Sequence, residues 1–390
     1  MRQNFTLFIG ASCVFFLTCF GPTEEIFAQP RKCGTVLPNF DLPQYVRTAG
    51  VPRNVYNIPV VFHIVKHPTD DYIGNDRIYE QIDRLNADFS GSNVDLVRVP
   101  EKFKEFVNEE TVFNFCLAGT DEVGNRALGI VRTSTDVQNI GLSDALYFSA
   151  EGGSTAWDTD QYLNIWVANC GGFVSGFGTY PAQTDDYRQG VVIHTAYFGK
   201  NESEEFNLGR TVTHEIGHYF GLPHIWEETT DCGSFDLIAD TPPQSSYYTG
   251  CPAYPQESCG STDMSMNFMD YVRDECMMMF TAGQMQYMRI TAEEYRPGLL
   301  SDETTCLNIG TVEEIPEFSV YPNPNNGFFR IIFSTPFNGI CRLRLYDIRG
   351  RSISDREEYV FEDFGFQLTY LYRGVYILHI EQHATKIVVN

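Results

Sequence analysis

Three histidines and a carboxylate fall within eleven positions of the stretch "THEIGHYFGLPHIW", residues 213–226. His214 and His218 are four apart, so on a helix their imidazoles share a face and can meet at one ion. Glu215 is displaced by about 100° around that helix. That is poor placement for a ligand and good placement for a general base acting on metal-bound water. A helix continuing to His224 would carry its ring about 15 Å from His214. Gly221 can take a positive φ and Pro223 refuses to extend the helix, so the chain is predicted to turn and bring His224 back to the same ion. Three neutral nitrogens with one open position describe a catalytic zinc site rather than a structural one. The competing reading is a core or solvated helix with incidental histidines.

Downstream, "NFMDYVRDEC" places Met269 and Tyr271 two positions apart. The methionine suits an apolar floor beneath the histidines. The phenol can hydrogen-bond the oxyanion that forms when water attacks a peptide carbonyl. The neighbouring methionines read as core filler. The extended pattern His214-Glu215-x-x-His218-x-x-Gly221-x-x-His224 is the metzincin signature. Together with "DLIADTPPQ", "NFMDYVRDECMMMFTAGQ" and "FNFCLAGTDEVGNRALGIVR" it resembles the pappalysin family of metzincins, in its compact ulilysin-like form, over residues 31 to 295. That resemblance implies His214, His218 and His224 as zinc ligands, Glu215 as the base, Met269 as the Met-turn and Tyr271 as a stabiliser of the transition state.

These residues need elements to hold them. "NIPVVFHIVKH" (57–67) reads as a strand, followed by a helix with Ile78, Ile82, Leu85 and Phe89 on one stripe and Asn75 or Asp76 as its cap. Further strands are expected at 111–119, 163–170 and 190–198, and a helix at 281–295. The order implies an α/β domain with a mixed twisted sheet and the histidine helix, then an irregular lower subdomain past residue 230. The stretch 163–178 reads as an edge strand and bulge able to hold an extended peptide by backbone pairing. After a short acidic linker (306–317), residues 318–390 alternate apolar and polar between dense turn signals, an all-β sandwich.

Cysteine usage bears on compartment and control. Nine of the eleven lie beyond the first 28 residues, an odd number that leaves at least one without an intrachain partner. Cys232, Cys251, Cys259 and Cys276 lack zinc-ribbon spacing and allow three disulfide pairings; the family resemblance implies Cys232–Cys259 and Cys251–Cys276. The partners of Cys116, Cys170, Cys306 and Cys341 stay open, Cys116 with Cys170 being one arrangement. Asp236, Asp240 and Thr241 are implied by the resemblance as ligands of a structural calcium, against the plainer reading of a capped turn. Cys33 in "RKCGT" is the candidate leftover thiol, and a thiolate is a good fourth zinc ligand. The family has a cysteine switch in a similar context, which makes 29–53 an inhibitory propeptide, removed by cutting at Arg47 or Arg53. The other outcome is a disulfide from Cys33. Asp274 and Glu275, close to the Met-turn, are candidates to line the pocket for the residue after the scissile bond, where a carboxylate favours Arg or Lys.

Composition bounds the rest. A formal charge of −24, from 51 acids against 27 bases, argues against nucleic-acid binding. Arg2, the apolar run from Phe5 to Phe20 and the small Ala28 form a secretory signal peptide (1–28), with a lipoprotein cysteine at Cys19 as the weaker reading. No later segment is apolar for long enough to span a bilayer. "VYPNPNNGFF", "LYDIRGR" and the terminal "KIVVN" resemble the C-terminal sorting domain of the type IX secretion system. This implies secretion or surface attachment in a Bacteroidetes-type bacterium, with the secretion machinery as partner. The expected function is a secreted, latent zinc endopeptidase (catalytic domain 54–305) acting on proteins or peptides. The alternatives are a narrow maturation protease and an adhesin on a protease scaffold.

Overall fold

The computed structural model describes residues 33–35, 54–300, 306 and 316–390, apart from 126, 173, 182–185, 202, 204, 227–231, 233–235, 237, 336–337, 362, 368–370 and 381–382. The expected signal segment, most of the expected propeptide with Arg47 and Arg53, and most of the acidic linker lie outside the described residues.

The N-terminal half begins with β1 (Tyr56–Lys66) and α1 (Asn75–Ser90). It continues through β2 (Phe113–Leu117), β3 (Ile130–Ser134), β4 (Leu163–Ala168), β5 (Gly176–Gly178), β6 (Val191–His194) and α2 (Arg210–Tyr219). A small hairpin, β7 (Glu257–Ser258) with β8 (Ser261–Thr262), and α3 (Ala282–Tyr295) complete it. The first six strands make one mixed sheet in the order β2-β1-β4-β6-β5, with β3 pairing the far end of β1. All pairings are parallel except β5 on β6.

Every residue of β1 from Ile58 to Val65 is buried, and so is all of β4. Runs that are apolar on both faces belong in the middle of a covered sheet. This corrects the reading of 163–178 as one edge strand: β4 is central and only β5 lies at the edge, past the turn at Gly171 and Gly172. The strand expected over 190–198 stops at His194 and gives way to a 3-10 turn, Thr195–Tyr197. The stripe of Ile78, Ile82, Leu85 and Phe89 is buried as its spacing requires, but the N-cap of α1 is Gly74, with Asn75 already helical. α3 opens with a capping box, Thr281 and Gln284 exchanging side-chain-to-backbone bonds.

Three disulfides tie this half together. Cys232–Cys259 and Cys251–Cys276 pair as the resemblance implies. The third, Cys116–Cys306, links positions 190 residues apart, and Ala118 bridges Cys306 through the backbone. Cys306 is therefore bound to β2 and closes the N-terminal half instead of opening the linker. Cys33, Cys170 and Cys341 lie outside the disulfides.

The C-terminal half is β9 (Phe318–Tyr321), β10 (Phe328–Phe333), β11 (Asn338–Asp347), β12 (Ser352–Phe361), β13 (Asp363–Gln367), β14 (Gly374–Ile380) and β15 (His383–Val389). They form two antiparallel sheets, β13-β10-β9 and β12-β11-β14-β15. Cys341, Leu343 and Leu345 face a core shared with Phe329, Ile331 and Leu378. The "NPN" turn is sewn to the last strand: Asn323 donates to Lys386 O and accepts from Val388 N–H, while Asn325 N–H donates to Val388 O.

Candidate metal centre

α2 is buried along its whole length, so its side chains are fixed by packing before any ligand arrives. His214 and His218 stand one turn apart. The helix then ends at Gly221, whose φ of 93° is left-handed. The N–H groups of Gly221 and Leu222 fold back onto the carbonyls of His218 and Gly217, closing the helix end. Tyr180 donates its hydroxyl to Gly221 O and pins the turn. The chain thereby returns His224, whose Nε2 lies 3.1 Å from His218 Nε2; His214 Nε2 lies 3.2 Å from the same atom.

The other ring nitrogens decide what this cluster is for. His214 Nδ1 sits 2.7 Å from Phe268 O and His218 Nδ1 2.7 Å from Leu222 O. A carbonyl accepts only, so both Nδ1 atoms carry the proton and both Nε2 atoms present lone pairs. Burial, and then the neighbouring His224, hold His218 well below the ordinary imidazole range, hence neutral. Lone pairs facing one another at this distance repel unless a cation lies among them. Three nitrogens about 2.0–2.1 Å from a tetrahedral zinc stand roughly 3.3 Å apart, which matches.

Cys33 completes the set, with Sγ and the three histidine nitrogens all within 4.8 Å of one another. Cys33 donates to Glu215 Oε2 at 3.3 Å, and enclosure together with the Glu215 charge holds its thiol well above the ordinary range. Thr35, absent from the sequence expectations, donates its hydroxyl to the same Oε2 at 3.0 Å and accepts from Gly178 N–H at 2.8 Å. Gly34 N–H donates to Gly176 O at 2.8 Å, so residues 33–35 lie along β5 in the parallel sense.

Met269 is fully buried beneath α2. A Cβ on Gly217 would come within 2.6 Å of its sulfur, so glycine there is what lets the Met-turn rise against the helix. The Tyr271 ring lies 5.7 Å from His214 and 5.0 Å from His224. Two aromatic neighbours carried no sequence signal: Trp226 stacks on His224 at 4.3 Å, and Tyr247 packs against both Tyr271 and Trp226.

Asp274 is turned inward. It is fully buried, and its Oδ2 accepts from the N–H groups of Leu208 and Arg210 at the start of α2, where a negative charge is favoured. Glu275 is exposed, four residues past Tyr271. Asp236 accepts from Thr241 and from Ile238 N–H, and Asp240 from Thr281 and Gly283 N–H. Both acids thus make capping contacts, and among the described residues neither joins a metal-sized cluster of three His, Cys, Asp or Glu side chains.

Arg210 anchors the helix. It is fully buried, pairs with Asp88 and Asp95, and donates to the carbonyls of Asp274 and Met277. Arg210→Ala leaves the buried Asp88 carboxylate only Thr213 at 2.9 Å and Arg84 at 3.9 Å, and is expected to destabilise the fold by about 3 kcal/mol. A urea midpoint close to that of the parent chain would show the network to be dispensable.

With this geometry in place, comparison with known proteins is informative. The family model described as "Pregnancy-associated plasma protein-A" matches residues 149–293, and the model for a secretion system C-terminal sorting domain matches residues 319–390. An extracellular metalloprotease of Arthroderma benhamiae is 38% identical over 303 residues, covering 72% of this chain and 97% of its own.

The chain belongs to the pappalysin family.

A second extracellular metalloprotease, from Arthroderma otae, is 27% identical over 98% of its length. Mature mirolysin of Tannerella forsythia, solved in complex with a cleaved peptide, is 38% identical; the match covers 64% of this chain and all of that one, with a TM-score of 0.59. Promirolysin from the same organism matches at 37% identity and a TM-score of 0.59, covering 64% of this chain and 85% of that one. This pappalysin is thus an extracellular metalloendopeptidase, and its family implies one catalytic zinc, which the three converging histidines fit. The sorting domain marks it for secretion or attachment at the cell surface. Among the described residues, no helix is long and apolar enough to cross a membrane.

Proposed function

We propose that this pappalysin is a zinc endopeptidase made as a latent zymogen, with His214, His218 and His224 as the metal ligands and Glu215 as the general base. The observation that carries this reading is the convergence of three Nε2 atoms, with Glu215 beside them and Cys33 Sγ within reach of all three. When bound, zinc supplies a Lewis acid that polarises the scissile carbonyl and acidifies water.

The protein's own groups do the remainder. An extended substrate pairs with the free edge of β5 once residues 33–35 are gone. Glu215 takes the proton of the attacking water and passes it to the departing amine. Tyr271 donates to the developing oxyanion from beside His214 and His224. Latency has two contacts, the Cys33 thiol over the histidines and the Thr35 hydroxyl on the base. Cutting after Arg53 starts the mature enzyme at Asn54, just ahead of β1, and the catalytic domain runs to Cys306. Residues 1–28 act as the export signal, and 318–390 direct type IX secretion in a Bacteroidetes-type cell.

The test is cleavage of a denatured protein by the full chain after propeptide removal. Chelation is expected to abolish cleavage, and zinc added back to restore it. Undiminished cleavage in excess chelator would overturn the assignment.

The exposed candidate for specificity is Glu275, whose carboxylate lies beside Cys251. An exposed carboxylate contributes roughly 0.2–1 kcal/mol to a basic side chain. Glu275→Gln should therefore lower the preference for Arg or Lys after the scissile bond by up to about fivefold, read from a peptide library. An unchanged library profile would remove Glu275 from the pocket.

A further inference from the structure

Asp270 sits between the Met-turn methionine and Tyr271, with no exposed surface and no place in the chemistry described above. Its Oδ1 accepts from the N–H groups of Tyr271 at 2.7 Å and Tyr248 at 2.8 Å. Its Oδ2 accepts from Gln244 Nε2 at 2.8 Å. One carboxylate thus holds Tyr271 with one oxygen and both ends of the 244–248 loop with the pair.

The loop's other ties run away from the histidines, Ser245 N–H donating to Ser258 Oγ at 3.0 Å. Gln244 spends its second amide hydrogen on Ser246 O, inside the loop. Tyr248 reaches away, donating its hydroxyl to Asp263 at 2.7 Å, and Asp263 in turn accepts from Ser258 in the disulfide-bonded subdomain. Between the two gripped residues stands Tyr247, whose ring packs 5.3 Å from Tyr271 and 5.6 Å from Trp226 while remaining 44% exposed. The buried carboxylate is expensive: desolvation pushes its pKa up to about 7 against the pull of the three donors. An acid kept at such a position, with all its bonds directed at these two segments, holds them in register.

We propose that Asp270 is a positioning residue of the hydrolytic site, clamping the 244–248 loop to the Met-turn so that Tyr271 faces the histidines and Tyr247 walls the cleft beside it. The inference rests on Tyr271 being the oxyanion partner, and a double-mutant cycle separates the two. The full chain, zinc-loaded and freed of its propeptide, is assayed as parent, Asp270→Ala, Tyr271→Phe and the double variant, with zinc content and thermal midpoint recorded.

Misplacing a catalytic group by an ångström costs about 100-fold, so Asp270→Ala should lower kcat by about that factor with KM and zinc content little changed. In the Tyr271→Phe background the same substitution should cost less than about threefold, because interacting sites are non-additive. An undiminished loss in that background overturns the inference. Full activity of Tyr271→Phe alone overturns the oxyanion reading and the inference with it. If Asp270→Ala does not fold, Gln244→Ala, which removes one of the three donors, runs the same cycle under the same criterion.

Discussion

Glu215→Gln abolishes most hydrolysis while leaving the metal centre assembled: kcat/KM is expected to fall by about 10²–10⁴, the range for a lost general acid–base. The substitution keeps the volume of a fully buried side chain and leaves the His214 and His218 rings held as before, since their Nδ1 partners are Phe268 O and Leu222 O, not the glutamate. Zinc content and thermal midpoint should therefore match the parent chain, so that the loss is chemical rather than structural. A variant that binds zinc, folds, and still cleaves within about tenfold of the parent would show that the proton is taken elsewhere. The alternative of a zinc-binding adhesin makes a different forecast: Glu215→Gln leaves what the protein does unaltered.

The second large effect concerns the lock. With Arg47 and Arg53 replaced by Ala to keep the segment attached, the uncut chain should be silent, and Cys33→Ala should give it activity. That activity should not be complete. Thr35 would still occupy the Glu215 carboxylate, and a hydrogen bond to a charged group is worth about 1.5–3 kcal/mol. Cys33→Ala should thus remain roughly tenfold or more below the cut enzyme, and adding Thr35→Val should recover most of the difference. If Cys33→Ala is as silent as its parent, the thiol is not the lock and the backbone pairing of Gly34 with Gly176 does the blocking. If Thr35→Val alone gives full activity, the base rather than the metal is what latency controls.

The histidine cluster was legible because its convergence follows from local geometry: a four-residue repeat, a glycine able to turn, and a proline that stops. Met269 was legible for a related reason, although Gly217 opposite it became meaningful only once the two were packed. The adjacent acids Asp274 and Glu275 were not separable in sequence. Which one points inward is set by the start of α2, more than sixty residues earlier, whose N–H groups claim Asp274. Trp226 and Tyr247 enter the site only through packing, and no periodicity announces that. The apolar run of β4 was read as a strand correctly and placed at the edge wrongly, because a run buried on both faces specifies burial and not sheet order. The Cys116–Cys306 pair spans too much chain for spacing to suggest it.

That last bond has a consequence for how the enzyme ages. His214, Glu215, His218, His224, Met269 and Tyr271 all fall inside the covalent ring that Cys116 and Cys306 close. A protease working outside the cell meets other proteases and its own sister molecules. A single nick in any surface loop between those cysteines gives two polypeptides that remain one molecule, with the helix that carries the base still tethered to the turn that carries the floor. Trimming beyond Cys306, where the sorting half departs, leaves an end already riveted to β2. On gels, such aged enzyme should run as one band until reductant is added and as fragments afterwards, with activity outlasting the intact chain.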